Sequence, residues 1–201
     1  NSDMSTFSDM FPGRADGWGT PGAAARGRLR AMTLEVRPGR PEDGPALRQV
    51  ERLAGQAFRT LGMDDVADDE PPGLDTLAAY AEAERLWVAA EGPAEPVGYV
   101  VVDVVDGCAH VEQVSVRPDH QGTGVGRALL DRVAAWAQAR SMPALTLTTF
   151  ADVPWNRPLY EHLGFRVLAE GELSPGLRAV RDAEAAHGLD PTNRVCMRRD
   201  L

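Results

Sequence analysis

The hydrophobic residues of this chain follow two spacings, one typical of helices and one typical of strands. Between about Ala46 and Leu61 apolar residues recur every three or four positions, which predicts an amphipathic helix with one buried face. Glycines at 122–126 open a second long helix that Pro143 ends. Alternating or continuous apolar runs predict strands over 33–37, 86–91, 97–105, 109–116, 144–150, 164–168 and 194–199.

Shorter helices are predicted near 74–84, 155–163 and 175–188, and a turn-rich acidic loop is predicted at 62–73. Several strands come first and then alternate with helices, which predicts an α/β domain whose mixed sheet is flanked by helices. The last of these helices stands just before the final strand, and its apolar side has two alternative uses: covering a cleft of this chain or contacting a neighbouring subunit.

Length and charge limit what the domain can do. The 201 residues fit one domain, expected over 32–201, after an N-terminal arm over 1–31 of atypical or partly expression-derived composition. All 21 basic residues are arginines against 30 acidic residues, and the net charge of −9 disfavours nucleic acid as a partner. Apolar runs are far shorter than the ~20 residues of a membrane span. Only Cys108 and Cys196 are present and no leader is recognisable, so we expect a cytoplasmic protein.

The strand-to-helix junction between Val114 and Leu130 carries the most specific chemical signal. Three alternate glycines stand where the helix starts, at 122, 124 and 126. Main-chain N–H groups at a helix N-terminus bind phosphate, and glycines allow a ligand to approach the main chain. A Walker loop is excluded because the chain contains no lysine. A dinucleotide-binding fingerprint is excluded because Arg127 and Leu129 stand where its last glycine belongs.

The remaining motif, Gln121-x-x-Gly124-x-Gly126 before an amphipathic helix, resembles the GCN5-related N-acetyltransferase (GNAT) superfamily. A second segment, from Asn156 to Phe165, resembles that family's short helix with an Asn and a Tyr that ends in Leu-Gly-Phe. The resemblance covers roughly 32–168. It implies a single-domain GNAT fold, in which a twisted, largely antiparallel mixed sheet opens into a V-shaped cleft between the strands that end at Val116 and start at Ala144.

The resemblance also implies acetyl-CoA as the co-substrate, without a metal, and a set of residues that contact it. Those residues are Val114, Ser115 and Val116 of the strand, Gln121, Gly122, Thr123, Gly124, Val125, Gly126 and Arg127 of the loop, and Asn156. The family's usual asparagine position holds Val153 in this chain. Tyr160 matches the family tyrosine that donates a proton to the coenzyme sulfur, and the Val116 N–H would bind the thioester oxygen.

Acetyl transfer to an amine requires a neutral amine, a donor for the developing oxyanion and a proton for the departing thiolate. The sequence contains no recognisable Ser-His or Cys-His arrangement, and the resemblance implies direct attack in a ternary complex. By strand alternation Glu112 shares a face with Val114 and Val116, which makes it a candidate general base, with His110 as the second candidate. An exposed strand carboxylate paired with an arginine is the alternative interpretation of Glu112.

Five carboxylates between Asp64 and Glu70 concern the identity of the amine that accepts the acetyl group. Such a stretch is typical of a solvated loop. In the resembled family, however, this segment borders the acceptor site, where it would attract a cationic small-molecule amine. A peptide or protein amine and a non-catalytic acyl-CoA-binding module are the alternatives. Dimers are frequent in the family, so a homodimer is compatible with the resemblance.

Overall fold

Seven strands form one mixed sheet in the computed structural model, which describes residues 34–92 and 95–201. The arm predicted over 1–31 lies outside the described residues. The sheet has the order β1-β2-β3-β4-β5-β7-β6, and all neighbours are antiparallel except β4 and β5, which are parallel. The strands are β1 Leu34–Pro38, β2 Leu86–Glu91, β3 Pro96–Val105, β4 Cys108–Val116, β5 Ala144–Phe150, β6 Arg166–Val167 and β7 Arg194–Asp200.

The described residues also form six α-helices. They are α1 Gly44–Gly55, α2 Asp64–Ala67, α3 Leu74–Glu82, α4 Val125–Gln138, α5 Asn156–His162 and α6 Pro175–Ala186. Helix α4 packs on one face, where its Leu129 contacts apolar side chains of the sheet that include Val100, Val111 and Leu147. Helices α1 and α3 pack on the other face, where their side chains and those of β2 and β3 form a core of Leu47, Val50, Leu77, Leu86, Val88, Tyr99 and Val101.

The segment predicted as one helix up to Leu61 changes its winding part-way. Helix α1 ends at Gly55, and residues Gln56–Leu61 continue as a 3₁₀-helix that Gly62 ends with a φ of 70°. Glycine is a poor helix former, which favours a change of winding at Gly55. The predicted acidic loop contains the short helix α2, whose first turn carries two aspartates at the positive end of the helix dipole.

The two central strands separate after a short paired stretch. Only Ala109–Val111 of β4 pair with Leu145–Leu147 of β5, although β4 continues to Val116 and β5 continues to Phe150. Beyond these three pairs β5 keeps its antiparallel partner β7, while β4 keeps β3. The sheet therefore opens into a V, called the fork below, as predicted.

A β-bulge in β4 changes which side chains share a face. Val101 pairs with Gln113 and Val102 pairs with Val111, so Glu112 is the extra residue. Val111, Val114 and Val116 all pack on the α4 side of the sheet, although Val111 and Val114 are three residues apart. The prediction that Glu112 and His110 share the face of Val114 and Val116 is wrong, because strict alternation fails at the bulge. His110 pairs with Asp103 and lies on the α1 side.

Helix α6 lies on the α1 side of the chain's own sheet. Its Leu177 is buried with Leu168, Leu173 and Cys196. Near its N-terminus the Gly176 N–H donates to the Asp106 carboxylate at 2.7 Å. Near its C-terminus Glu184 accepts hydrogen bonds from Thr148 of β5 and Arg194 of β7. Both ends of α6 are thus attached to the sheet, which places the helix beside the fork.

Candidate active site

The N-terminus of α4 presents main-chain N–H groups at the mouth of the fork. Gly124 precedes the helix with a φ of 93°, and Gly122 has a φ of 74°, conformations that side-chain-bearing residues rarely adopt. Within the described residues, none of the main-chain N–H groups from 122 to 127 donates to a protein acceptor. The first turn contains no acidic residue, and the exposed Arg127 lies in it. These features fit a diphosphate.

Gly98 of β3 brings this helix start close to the sheet. A Cβ atom at Gly98 would lie 3.0 Å from the Ser115 carbonyl oxygen and 3.0 Å from Val125 Cγ1. Real Cβ atoms are rarely so close to their neighbours, so a larger residue would push α4 away from the strands. The absence of a side chain at Gly98 therefore allows the glycine-containing loop at 121–124 to lie directly beyond the end of β4.

The main chain of β4 offers hydrogen-bonding groups to the fork at two of the three predicted positions. The Arg117 N–H donates to the Val97 carbonyl of β3 at 2.9 Å. Alternate residues of an antiparallel strand point their main-chain groups to opposite edges, so Ser115 also faces β3. Val114 and Val116 therefore face the fork, and the Gln121 side chain donates to the Val116 carbonyl at 3.3 Å.

Tyr160 of α5 lies against the core on the α4 side, with its ring edge-on to Phe165 at 5.8 Å between centroids. Its hydroxyl forms no hydrogen bond with another described residue. Burial raises the pKa of Tyr160 to about 12, although the Arg194 charge opposes the shift. The phenol is therefore protonated at neutral pH, as a proton donor must be. Asn156 is half-buried one helical turn earlier, so it lies on the same side of α5.

Glu112 stands in the bulge one residue beyond the last β4–β5 pair. Its side chain is open to solvent, yet the surrounding protein partly desolvates the carboxylate and raises its pKa. The negative charges of Asp103 and Glu184 raise this pKa further, and Arg194 opposes them. Glu112 forms no ion pair within the described part of the chain. This differs from the alternative interpretation, in which Glu112 is an exposed carboxylate paired with an arginine. A free carboxylate of raised pKa is suited to accept a proton.

His110, the second candidate base, is enclosed by the protein. Its side chain is 1% exposed, and its Nδ1 lies 3.0 Å from the Thr146 hydroxyl oxygen. Burial lowers the pKa of His110, so the ring is neutral at neutral pH. The histidine lies where β4 and β5 are still paired, at the closed end of the fork.

Three charged residues that the sequence analysis did not single out surround Glu112. Asp103 accepts hydrogen bonds from the Tyr80 hydroxyl at 2.9 Å and from Arg85. Glu184 and Arg194 form an ion pair with side-chain exposures of 17% and 10%. An aspartate inside the apolar run 97–105 was a usable signal for a polar site. Glu184 carried no such signal, because α6 has many charges.

The acidic segment is partly neutralised by arginines of the first helical region. Asp64 and Asp68 pair with Arg59, and Glu70 pairs with Arg48 and Arg52. Asp65 and Asp69 form no ion pair within the described residues. The attraction for cations that the sequence predicts is therefore reduced to about these two carboxylates.

The model of the acetyltransferase (GNAT) family matches residues 47–165, which is more than half of the chain. The chain belongs to this family. It is an acetyl-CoA-dependent acetyltransferase, and the predicted family and fold are confirmed.

One curated relative and two solved structures resemble this acetyltransferase over most of its length. The peptidyl-lysine N-acetyltransferase YjaB of Salmonella typhimurium is 24% identical over 143 residues, or 71% of this chain and 90% of the relative. A GNAT-family acetyltransferase from Staphylococcus aureus superposes with a TM-score of 0.64 at 15% identity, covering 84% of this chain and 99% of the other. The PaiA N-acetyltransferase of Thermoplasma acidophilum, solved with coenzyme A, gives 0.61 at 12% identity, covering 85% and 100%.

Two further observations concern the described residues as a whole. Over residues 34–92 and 95–201, no three His, Cys, Asp or Glu side chains are arranged to hold a metal ion. No helix in these same ranges has the length and apolar composition to cross a membrane.

Proposed function

We propose that this acetyltransferase moves the acetyl group of acetyl-CoA to a primary amine by direct attack within a ternary complex. The observation that carries the proposal is the fork itself. It opens beside the N-terminus of α4, exposes the main chain of Val116 and has Tyr160 and Glu112 associated with its two faces. An anion site, an oxyanion donor, an acid and a base thus belong to one cleft.

The coenzyme-binding half of the proposed site lies on the α4 side. The N–H groups from Gly122 to Arg127 bind the diphosphate, with the helix dipole and the Arg127 charge adding attraction. Val114 and Val116 bind the pantetheine arm through their main chain, and Asn156 contacts the coenzyme from α5. Ser115 contributes by fixing the strand, since its hydroxyl is buried and accepts a hydrogen bond from the Gln113 side chain at 2.8 Å.

The acid and the base divide the proton transfers between them. Glu112 takes a proton from the ammonium form of the acceptor, directly or through water, and the neutral nitrogen attacks the thioester carbon. The Val116 N–H stabilises the developing oxyanion. As the new N–C bond forms and the C–S bond breaks, Tyr160 donates its proton to the departing sulfur. The acetylated nitrogen then loses its extra proton, which restores the Tyr160 phenol through water, and Glu112 releases its proton to solvent. Atoms and charges balance, and the products are an N-acetylated amine and coenzyme A.

Two observations support a cationic small molecule as the acceptor. Carboxylates outnumber cations around the proposed base, because Asp103, Glu112 and Glu184 are accompanied by Arg85 and Arg194 among the residues that the structure describes. In addition, α6 is attached to the sheet at both ends beside the fork, which reduces the room for an extended chain. The peptidyl-lysine activity of the relative YjaB favours a protein lysine as the second candidate.

The decisive experiment measures thiol release from acetyl-CoA by the full chain against a panel of polyamines, arylalkylamines, amino acids, aminoglycosides and lysine peptides. We expect transfer to at least one small amine and heat of binding for coenzyme A in calorimetry. Tyr160→Phe should lower kcat by about 100-fold or more while the coenzyme Kd changes less than about threefold, because only the proton donor is lost. No heat with coenzyme A, or full activity of Tyr160→Phe, contradicts the proposal.

A further inference from the structure

Three aromatic side chains from separate elements meet at the open end of the fork. Phe58 lies in the 3₁₀-helix after α1, Phe150 is the last residue of β5, and Trp155 immediately precedes α5. The ring centroids of Phe58 and Phe150 are 5.9 Å apart, and those of Phe58 and Trp155 are 6.3 Å apart. These three residues are called the aromatic cluster below.

The aromatic cluster lies within a short ligand's reach of the proposed base. At about 3.3 Å per strand residue, Phe150 is about 10 Å beyond the last β4–β5 pair, and Glu112 is about 3 Å beyond it. Every second residue of β5 faces the same side of the sheet, and Phe150 is in step with Thr146 and Thr148. All three therefore face the side that holds His110. The cluster and Glu112 therefore border the same half of the fork.

One face of the cluster is backed by a fixed ion pair. The Arg194 guanidinium lies 4.6 Å from the centre of the Phe150 ring and donates to the Thr148 hydroxyl at 2.9 Å. Its partner Glu184 holds it from α6. Phe150 is only 8% exposed, whereas Phe58 and Trp155 are half-buried and keep accessible ring surface. A ligand ring would therefore contact Phe58 and Trp155 rather than Phe150.

The charges of this half of the fork complement an ammonium group. Glu112 has no ion-pair partner among the described residues, while Asp103 and Glu184 are held by Arg85 and Arg194. The local balance is one net negative charge beside an apolar aromatic surface. A ligand with one cationic end and one apolar end satisfies both features, whereas a polycation such as a polyamine leaves the aromatic cluster uncovered.

Building on the proposed function, we infer that the acceptor is a small arylalkylamine, whose ring packs on Phe58 and Trp155 while its amino group reaches Glu112. Phe150 and Glu112 are offset by about 7 Å along the strands, since they lie about 10 Å and about 3 Å beyond the last pair, so an amine on a ring packed against Phe58 and Trp155 has a few ångströms to cover to Glu112. A chain of two or three carbons spans that distance. The aromatic cluster then selects the acceptor, and the acid–base pair acts on its nitrogen.

The test compares kcat/KM for 2-phenylethylamine with kcat/KM for propylamine, which has the same amino group without the ring. We expect the unmodified chain to prefer 2-phenylethylamine by about tenfold or more. Phe58→Ala and Trp155→Ala should reduce this preference to about threefold or less, mainly by raising KM for the aromatic amine. Leu61→Ala, which shortens an exposed side chain on the same 3₁₀-helix, should leave the preference unchanged.

A conservative variant and thermal melting distinguish a loss of selectivity from a loss of folding. Phe58→Leu keeps an apolar side chain in the cluster and should retain an intermediate preference, which decides the question if Phe58→Ala unfolds. An equal preference in the unmodified chain and in the Phe58 variants overturns the inference. Better use of spermidine or of a lysine peptide than of 2-phenylethylamine also overturns it, while transfer and coenzyme binding still support the proposed function. Loss of coenzyme binding itself contradicts the proposed function.

Discussion

Glu112 owes its position to a single extra residue in β4. The bulge turns its carboxylate away from the valines on the α4 side and towards Asp103 and Glu184. Burial is the main cause of its raised pKa, and the negative charges of these two residues raise the pKa further. A carboxylic acid of raised pKa loses its proton at higher pH than an ordinary glutamate, so its basic form is available only above that value. In the proposed mechanism, Glu112 thus links the pH dependence of the reaction to the charge of its neighbours.

The pH profile of Glu112→Gln tests this link. In the unmodified chain kcat/KM should rise with pH through the raised pKa of Glu112 and then level off, because the carboxylate is the form that accepts a proton. Glu112→Gln should lose this limb and about 100-fold or more of the plateau. Glu82→Gln, the same change on exposed α3 surface, is the control.

Asp103→Asn tests the effect of a neighbouring charge on the same pH profile. Removing a nearby negative charge makes ionisation of Glu112 easier, so its pKa falls and the acidic limb should move to lower pH. A limb that persists in Glu112→Gln would assign it to another group, most simply the amine itself.

For single residues, the sequence predicts best those whose position depends only on their neighbours along the chain. The glycines of the loop and Tyr160 are part of contiguous motifs, and their local backbone conformation is set by their own neighbours. The face of Glu112 was predicted wrongly, because a bulge depends on how β4 pairs with β3, which no alternation pattern within one strand contains.

Among the elements, α4 depends most on the conformation of one residue. Gly124 has a φ of 93°, and an L-residue there loses about 1–2 kcal/mol. Gly124→Ala should therefore lower Tm by about 2–8 °C. It should also weaken coenzyme A binding several-fold, since the N–H groups at the helix start would be displaced.

Gly171→Ala is the matched control for this change. Gly171 has no positive φ, and a Cβ there would meet no atom within 4 Å. Thermal melting and calorimetry with coenzyme A should both give nearly unchanged values for this variant. Equal coenzyme affinity in Gly124→Ala and the unmodified chain would mean that the loop amides do not hold the diphosphate.

The elements predicted best are those with long periodic patterns. Helix α4 ends at Gln138, close to the predicted end near Arg140, and α6 is recovered within two residues. The prediction was weaker where tertiary contacts override the local pattern. The strand predicted over 164–168 is reduced to Arg166–Val167, because only these two residues pair with β7. Likewise, the α-helix predicted up to Leu61 changes to a 3₁₀-helix after Gly55.

For the whole molecule, the net charge of −9 matters through its local distribution. In the acidic segment Asp64 and Asp68 are paired with Arg59, whereas Asp65 and Asp69 form no ion pair within the described residues. Unpaired carboxylates create the field that attracts a cationic acceptor, while paired ones contribute little to it.

Two double variants separate these contributions. Asp65→Asn with Asp69→Asn should raise KM for a cationic acceptor about threefold at low ionic strength, and less at ~0.5 M salt, where charges are screened within a few ångströms. Asp64→Asn with Asp68→Asn should have a smaller effect on KM. Steady-state kinetics at the two salt concentrations checks both, and identical KM values for all variants would exclude electrostatic attraction by this segment.

The topology of the sheet was predictable only in outline. Strand positions and the mixed architecture follow from the pattern of apolar residues, and the opening between the strands follows from the family resemblance. The extent of the opening depends on three pairs between Ala109–Val111 and Leu145–Leu147, a contact between segments more than 30 residues apart. The attachment of α6 through Glu184 and Thr148 of β5 is equally non-local.

The extra residue in β4 also determines what a one-codon deletion would do at this point. Val111 and Gln113 lie on opposite faces and pair with adjacent residues of β3, so loss of the codon for Glu112 would join them in regular alternation. Val114 and Val116 would keep their face and would still present their main chain to the opening. One in-frame deletion would thus remove the proposed proton acceptor and leave the proposed oxyanion donor in place, a separation of the two roles without any substitution elsewhere in the strand.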